Sequence, residues 1–356
     1  MPVRVVLDPD PDGPPSTVRT ARRAWRPWHA SATHHLLLQD DVTLPPDFGR
    51  HVTAAVAARP DAALSFFSEW GSFTSHALRV GAYAGYPWVR QPDTYLATQA
   101  LVLPVGHADA LAHLLAGADL DEPDDHAVHR YVTGAGIEHL VSSPNLVQHD
   151  DRPSVVGNGA MGARRATVPL AASAPPSATW WRGDALTSLR RVPSVFWRHA
   201  TPSSYEQGPG PAAPWVVAPT QRTFGDAHED VVARVHAMLR SALRAPVDGP
   251  VGAVLPDVAV TTAAQLAVAR ALRAGRRGAG AAPADAATAD AAAAAAARTV
   301  APGGLRTLDP QGAVDWARIG EAMVRVAARV EDELLPSLDL CELAQTHTWA
   351  AGSVRG

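Results

Sequence analysis

The segment His34-His35-Leu36-Leu37-Leu38-Gln39-Asp40-Asp41-Val42-Thr43-Leu44-Pro45-Pro46-Asp47-Phe48 is the stretch from which the fold can be read. Residues 35–38 read as a buried strand, because a short apolar run closed by polar residues suits the interior of a sheet. Two adjacent carboxylates, Asp40 and Asp41, stand where that strand ends. Open α/β sheets bind their ligands at this end of their strands. Mg²⁺ or Mn²⁺ takes oxygen ligands, commonly one or two carboxylates completed by phosphate oxygens and water. Neighbouring side chains on an extended backbone diverge, so one of the pair would touch a cation and the other would brace it. The same residues also suit a plain strand end followed by a turn.

Outward from this point, strand and helix patterns alternate. Residues 3–7 are a short apolar run ending at Asp8 and are expected as a buried strand, while residues 9–15 are all Pro, Asp or Gly and form a loop. Ser16 suits the N-cap of a helix over 17–28. A second helix is expected over 47–58, with Phe48, Val52, Ala55 and Val56 on one face. Strands follow over 62–67 and 98–104, helices over 107–115 and 124–133, and a short strand over 145–149. The alternation predicts an α/β sheet with flanking helices.

Beyond about residue 157 the character of the chain changes. Residues 161–179 suit a linker, dividing a first domain over 1–160 from a mostly helical region over 180–356. Trp180, Trp181, Phe196, Trp197 and Trp215 form an aromatic stretch that suits core packing or stacking on sugar rings. Helical patterns cover 226–243, 262–273 and 313–335. Between the last two, the Ala- and Gly-rich residues 275–297 offer little apolar area and are expected to be loosely ordered.

Composition narrows the function classes. The 356 residues carry a net charge of −4, which argues against a nucleic-acid partner. Lysine is absent and all 31 basic residues are arginine, the codon bias of a GC-rich, bacterial type of genome. The single cysteine, Cys341, excludes an intrachain disulfide or a thiolate metal cluster. No signal-peptide pattern opens the chain and no apolar run reaches the ~20 residues of a membrane helix, so a cytoplasmic protein without a membrane span is expected.

The segment from Leu36 to Phe48 resembles the variant DXD motif of GT-A glycosyltransferases, particularly the N-acetylglucosaminyltransferases and the lipopolysaccharide family 25 enzymes. There an apolar strand runs into Glu-Asp-Asp or a close variant, then a short loop and a Pro-Asp-Phe helix start. A second match, Pro144-Asn145-Leu146-Val147-Gln148-His149 followed by Ser154 and Gly157, is similar to a Pro-x-Leu-x-x-His segment late in the same catalytic domain. The resemblance implies an abbreviated, Rossmann-like GT-A mixed sheet over residues 1–160. It further implies a nucleotide-sugar donor, a hydroxyl acceptor on a glycan or small molecule, and bound Mn²⁺ or Mg²⁺. Asp41 and His149 would hold the metal, with Asp40 near the donor sugar or ribose and Gln39 in place of the usual acidic residue. Asp125, with Asp124 as the alternative, would be the acceptor-activating base; the same two residues also suit a helix cap and its dipole.

Residues 8–13, Asp-Pro-Asp-Pro-Asp-Gly, look like half of a calcium loop, but Arg19 occupies the twelfth position, where a bidentate glutamate is required. Asp8 or Asp10 is left a looser role near the donor nucleotide. The segment ahead of Asp40 has space for one strand and one helix, fewer than a complete GT-A nucleotide pocket. The rival reading is therefore a non-catalytic GT-A-like binding or scaffold protein. The C-terminal helices offer surfaces for a homo-oligomer.

Overall fold

The computed structural model describes residues 2–150, 162–196, 198–208, 213–219, 222–278, 285–310 and 313–340. The elements run α1 (Thr17–Ala24), β1 (His34–Leu38), β2 (Val42–Thr43), α2 (Phe48–Ala58), β3 (Ala63–Ser65), α3 (Phe73–Ala84), β4 (Trp88–Arg90), β5 (Ala100–Pro104), α4 (Val105–Ala116), α5 (Asp124–Gly134), β6 (His139–Ser142) and β7 (Gln148–His149). They continue with β8 (Ala185–Leu186), β9 (Arg191–Phe196), β10 (Thr201–Gln207), β11 (Trp215–Pro219), α6 (His228–Leu243), α7 (Gly249–Gly278), α8 (Ala286–Leu305) and α9 (Trp316–Arg329).

Among the described residues the main sheet has the order β1-β5-β3-β6-β4-β8. It is mixed: β3 with β6 and β4 with β8 are parallel, and the other pairings are antiparallel. The alternation of side chains along each strand separates two layers. On β5, Leu101 and Leu103 join Trp25 of the α1 end, Leu111 and Leu115 of α4 and Val128 of α5. Ala100 and Val102 face the other way, onto Phe48 and Val52 of α2 and onto Phe66, Trp88 and Trp181. The protein is thus mixed α/β, with a helical C-terminal region.

Residues 3–7 are a correction to the expected strand. They lie outside the sheet, with Val3, Val5 and Leu7 at 83%, 80% and 76% exposure. Side chains at both ends set this path. Arg4 donates to the carbonyls of Arg23 and Arg26 at the end of α1, and Asp8 is held by Arg19. β1 therefore forms the edge of the sheet, hydrogen-bonded to β5 alone.

The packing also runs straight through the expected linker. Ala166, Thr167 and Val168 are buried, and the Thr167 and Val168 backbones bond to Ser68 and Asn145. β8 completes the sheet, and Trp180 and Trp181 sit in its core. Their neighbours explain why: Trp180 Nε1 donates to the Ser143 carbonyl and Trp88 Nε1 to the Trp181 carbonyl. Packing, rather than sugar stacking, accounts for these two indoles.

The described part of 275–297 is not loosely ordered. Residues 286–297 are the first turns of α8, with Ala292, Ala295, Ala296 and Ala297 buried. Alanine has the strongest intrinsic helix preference, and its short side chain lets neighbours approach closely. A Cβ on Gly320 of α9 would meet the Arg298 carbonyl of α8 at 3.1 Å. α7 begins at Gly249, well before the expected 262, and accommodates Pro256. It is the one described helix long and apolar enough to cross a membrane, but 67% of that window is buried inside the protein, as in a core helix.

Trp180→Ala should destabilise the protein by about 3–5 kcal/mol, the usual cost of emptying a large aromatic site. Urea unfolding followed by circular dichroism checks this; a loss under about 1 kcal/mol would contradict the shared core.

Candidate functional site

The site begins where β1 stops. Gln39, Asp40 and Asp41 form the turn into β2, and β2 pairs antiparallel with β7 in the register Val42↔His149 and Thr43↔Gln148. This two-stranded clip brings together the two sequence matches, which are remote along the chain. His149 Nε2 and Asp41 Oδ2 lie 3.0 Å apart. The Asp150 N–H donates to the Asp41 carbonyl at 2.8 Å, and the Thr43 hydroxyl donates to the Asp150 carboxylate at 2.6 Å, closing the clip from both sides.

His149 is buried at 1% exposure and stacks on Phe67, which fixes its ring plane. Arg164 brings Nη2 to 3.4 Å from the same Nε2. The hydrogen bond from His149 is the main influence holding the Asp41 carboxyl below its ordinary pKa. The charges of His149 and Arg164 act in the same direction, against desolvation. The second carboxylate oxygen differs: Asp41 Oδ1 is buried and has no hydrogen-bond partner among the described residues. Leaving a carboxylate oxygen dry and unpaired is costly, so it calls for a donor or a cation.

The predicted acidic pair lies in the same cleft, at the start of α5. Pro123, not Asp124, occupies the N-cap position, but both carboxylates stand in the first turn, where they favour the helix dipole, and Asp125 Oδ1 accepts the His126 N–H at 2.8 Å. Asp124 is buried and bonded to Thr17 and Thr98, yet burial still raises its pKa. Asp125 is half-buried, and its pKa is raised first by burial and then by the charge of Asp124. Thr98 ties this pair to the turn after β1, since Gln39 Nε2 donates to Thr98 Oγ1 at 2.9 Å. Asp40 is exposed on the cleft wall.

Asp8 also lines the cleft, but both its oxygens are taken by Arg19, at 2.6 and 2.8 Å. That hydrogen bonding holds its pKa down at about 2. With Arg19, it clamps the 9–15 loop. Ser154 and Gly157 of the second match lie outside the described residues.

Sequence reading passed over Asp93, Thr98 and Arg164, all of which line this cleft. Asp93 is buried at the start of α3, where it accepts the Thr74 N–H at 2.8 Å. No spacing in the sequence marks these three, because each arrives from a loop. The cleft has a volume of about 2310 Å³. A single small-molecule pocket typically spans about 300–1000 Å³, so this cleft is larger than one such pocket.

Among the described residues, no group of three or more His, Cys, Asp or Glu converges on one point. Among the described residues, Asp41 and His149 are the two expected metal ligands that the fold brings together. The orphaned Asp41 Oδ1 fits a divalent cation, whose remaining positions suit phosphate oxygens and water. Comparison with family models, with curated proteins and with solved structures finds no match for this chain.

The lowered Asp41 pKa has a definite sign. Its stabilising contribution is complete above the unfolded value of about 3.9 and is lost as the pH falls through the lower folded one. Asp41→Ala should thus cost stability near neutral pH, with the deficit closing in acid. Urea unfolding over a pH series tests this, and a deficit that persists unchanged into strong acid would contradict it.

Proposed function

We propose that the chain is a metal-dependent glycosyltransferase with a GT-A-type core, moving a sugar from a nucleotide-sugar to a hydroxyl acceptor. The observation that carries the reading is the Asp41–His149 pair at the end of β1, with Asp41 Oδ1 buried and without a partner among the described residues. Asp41 and His149 would hold Mn²⁺ or Mg²⁺, which when bound neutralises the leaving diphosphate. Arg164, whose Nη2 lies 3.4 Å from His149 Nε2, would add positive charge near that diphosphate.

The rest of the chemistry falls to the acidic pair. As the acceptor oxygen bonds to the sugar carbon and the bond to the diphosphate breaks, the acceptor hydroxyl must lose a proton. Asp125 is the base in this reading. Burial and the adjacent Asp124 raise its proton affinity, which improves a carboxylate for this task. Gln39, bonded to Thr98, keeps the turn without adding negative charge beside the diphosphate.

A second reading, a non-catalytic GT-A-like binding protein, draws support from residues 3–7, which stay outside the sheet and leave β1 an edge. Thermal unfolding with nucleoside diphosphates, with and without Mn²⁺, separates the two. The transferase reading expects a stabilising shift that needs both nucleotide and metal and is absent in Asp41→Ala. No shift in folded protein with any nucleotide would favour the binding protein.

The acid limb of turnover supplies a further test. A base must be ionised, so activity should fall as the pH drops through the raised Asp125 pKa. Asp124→Asn removes the neighbouring charge, lowers that pKa and should move the limb to more acidic pH. A limb that stays in place would exclude Asp125 as the base.

A further inference from the structure

Residues 2–8 run along one wall of the cleft without joining the sheet. Val3, Val5 and Leu7 are the most exposed large apolar side chains among the described residues. They alternate with Arg4, which is bonded to the end of α1, and with Val6, which is half-buried. The alternation is that of an extended chain, in which successive side chains point to opposite sides. One side of the segment grips α1, and the other presents three aliphatic side chains to solvent. The Arg4 contact to the Arg26 carbonyl sets this strip beside the loop after α1, where Trp28 is also exposed and lines the same cleft. Single exposed apolar residues are ordinary on a protein surface, but several along one rim mark a contact surface.

Charge indicates what covers it. Residues 2–28 hold five arginines against three aspartates, in a chain whose net charge is −4. Arg19 is taken up by Asp8 and lies 3.9 Å from Asp10. Arg23 and Arg26, in contrast, are exposed, and their side chains make no ion pair or hydrogen bond among the described residues. Arg4 donates to neutral carbonyls, which leave its charge uncancelled. Attraction to a charged surface needs net charge rather than free N–H groups. Aliphatic side chains, an indole and uncompensated arginines on one rim are the combination that binds the headgroup layer of an anionic bilayer. A second copy of the chain fits less well, because a twofold contact would set the same arginines against each other.

We infer that this rim docks on an anionic lipid bilayer, with Val3, Val5, Leu7 and Trp28 in the headgroup layer and Arg23 and Arg26 against its phosphates. Because the apolar residues of the rim also line the cleft, docking turns the mouth of the cleft to the membrane surface. The chain then lies on the bilayer and does not cross it. The inference does not depend on the transferase reading.

The test is co-sedimentation of the full chain with phosphatidylglycerol vesicles and with phosphatidylcholine vesicles at low salt. The protein should partition about tenfold or more in favour of the anionic vesicles. Replacing both arginines, Arg23→Gln with Arg26→Gln, should weaken that partitioning about 25-fold, or about fivefold for each arginine near the surface. Val5→Ser with Leu7→Ser should weaken it about tenfold, by removing aliphatic groups that enter the headgroup layer. All four positions are exposed, so the thermal midpoint should stay in place in both variants. Equal partitioning to the two kinds of vesicle, no partitioning to either, or binding that survives either double substitution overturns the inference. A dimer in sedimentation equilibrium that Val5→Ser with Leu7→Ser dissolves would assign the rim to a second copy and overturn it as well.

Discussion

The short pairing of β2 with β7 is the constraint on which the site depends. Only two residue pairs are involved, Val42↔His149 and Thr43↔Gln148, yet they join the turn after the edge strand to a segment that follows the last helix of the sheet layer. Without this clip Asp41 would be an exposed turn carboxylate and His149 an ordinary histidine. With it, His149 is buried against Phe67 and its Nε2 reaches the carboxylate at 3.0 Å. The cost of the arrangement is a buried carboxylate oxygen that is unpaired among the described residues. Proteins tolerate such groups mainly where something else is meant to meet them.

The same logic runs outward into the packing. The loop over 162–168, which carries Arg164, is hydrogen-bonded to residues 68–70 and pressed against the Arg306 backbone. Buried Arg79 of α3 donates to the Trp70 and Thr299 carbonyls, and Thr299 in turn donates to the Thr167 carbonyl. The cleft floor is therefore fastened to α8, a helix of the C-terminal region.

Parts of this were legible in the amino-acid order and parts were not. The run into Gln39-Asp40-Asp41 could be read because strand burial and a polar stop leave a local pattern, and α2, α4 and α5 left theirs in helical periodicity. The place of Asp124 and Asp125 at the start of a helix was legible because the helical pattern begins there. Residues 3–7 misled because a strand is stable only with a partner, and Arg4 and Asp8 commit that segment to α1 instead. The alanines of α8 misled in the opposite direction. They bury little area each, but their small size lets α3 and α9 close on them. Asp93, Thr98 and Arg164 lie in loops, where position is decided by tertiary contacts that no local pattern records.

The central claim is that the clip around Asp41 and His149 is built to hold a divalent cation together with a nucleoside diphosphate. Electron paramagnetic resonance of Mn²⁺ titrated with the protein addresses it most directly, in the presence and absence of nucleoside diphosphate. The account predicts that the free-ion signal is depleted by the wild type, more strongly with the nucleotide, and is left intact by His149→Ala and by Asp41→Ala. Equal depletion by all three proteins would place the metal elsewhere and contradict the account.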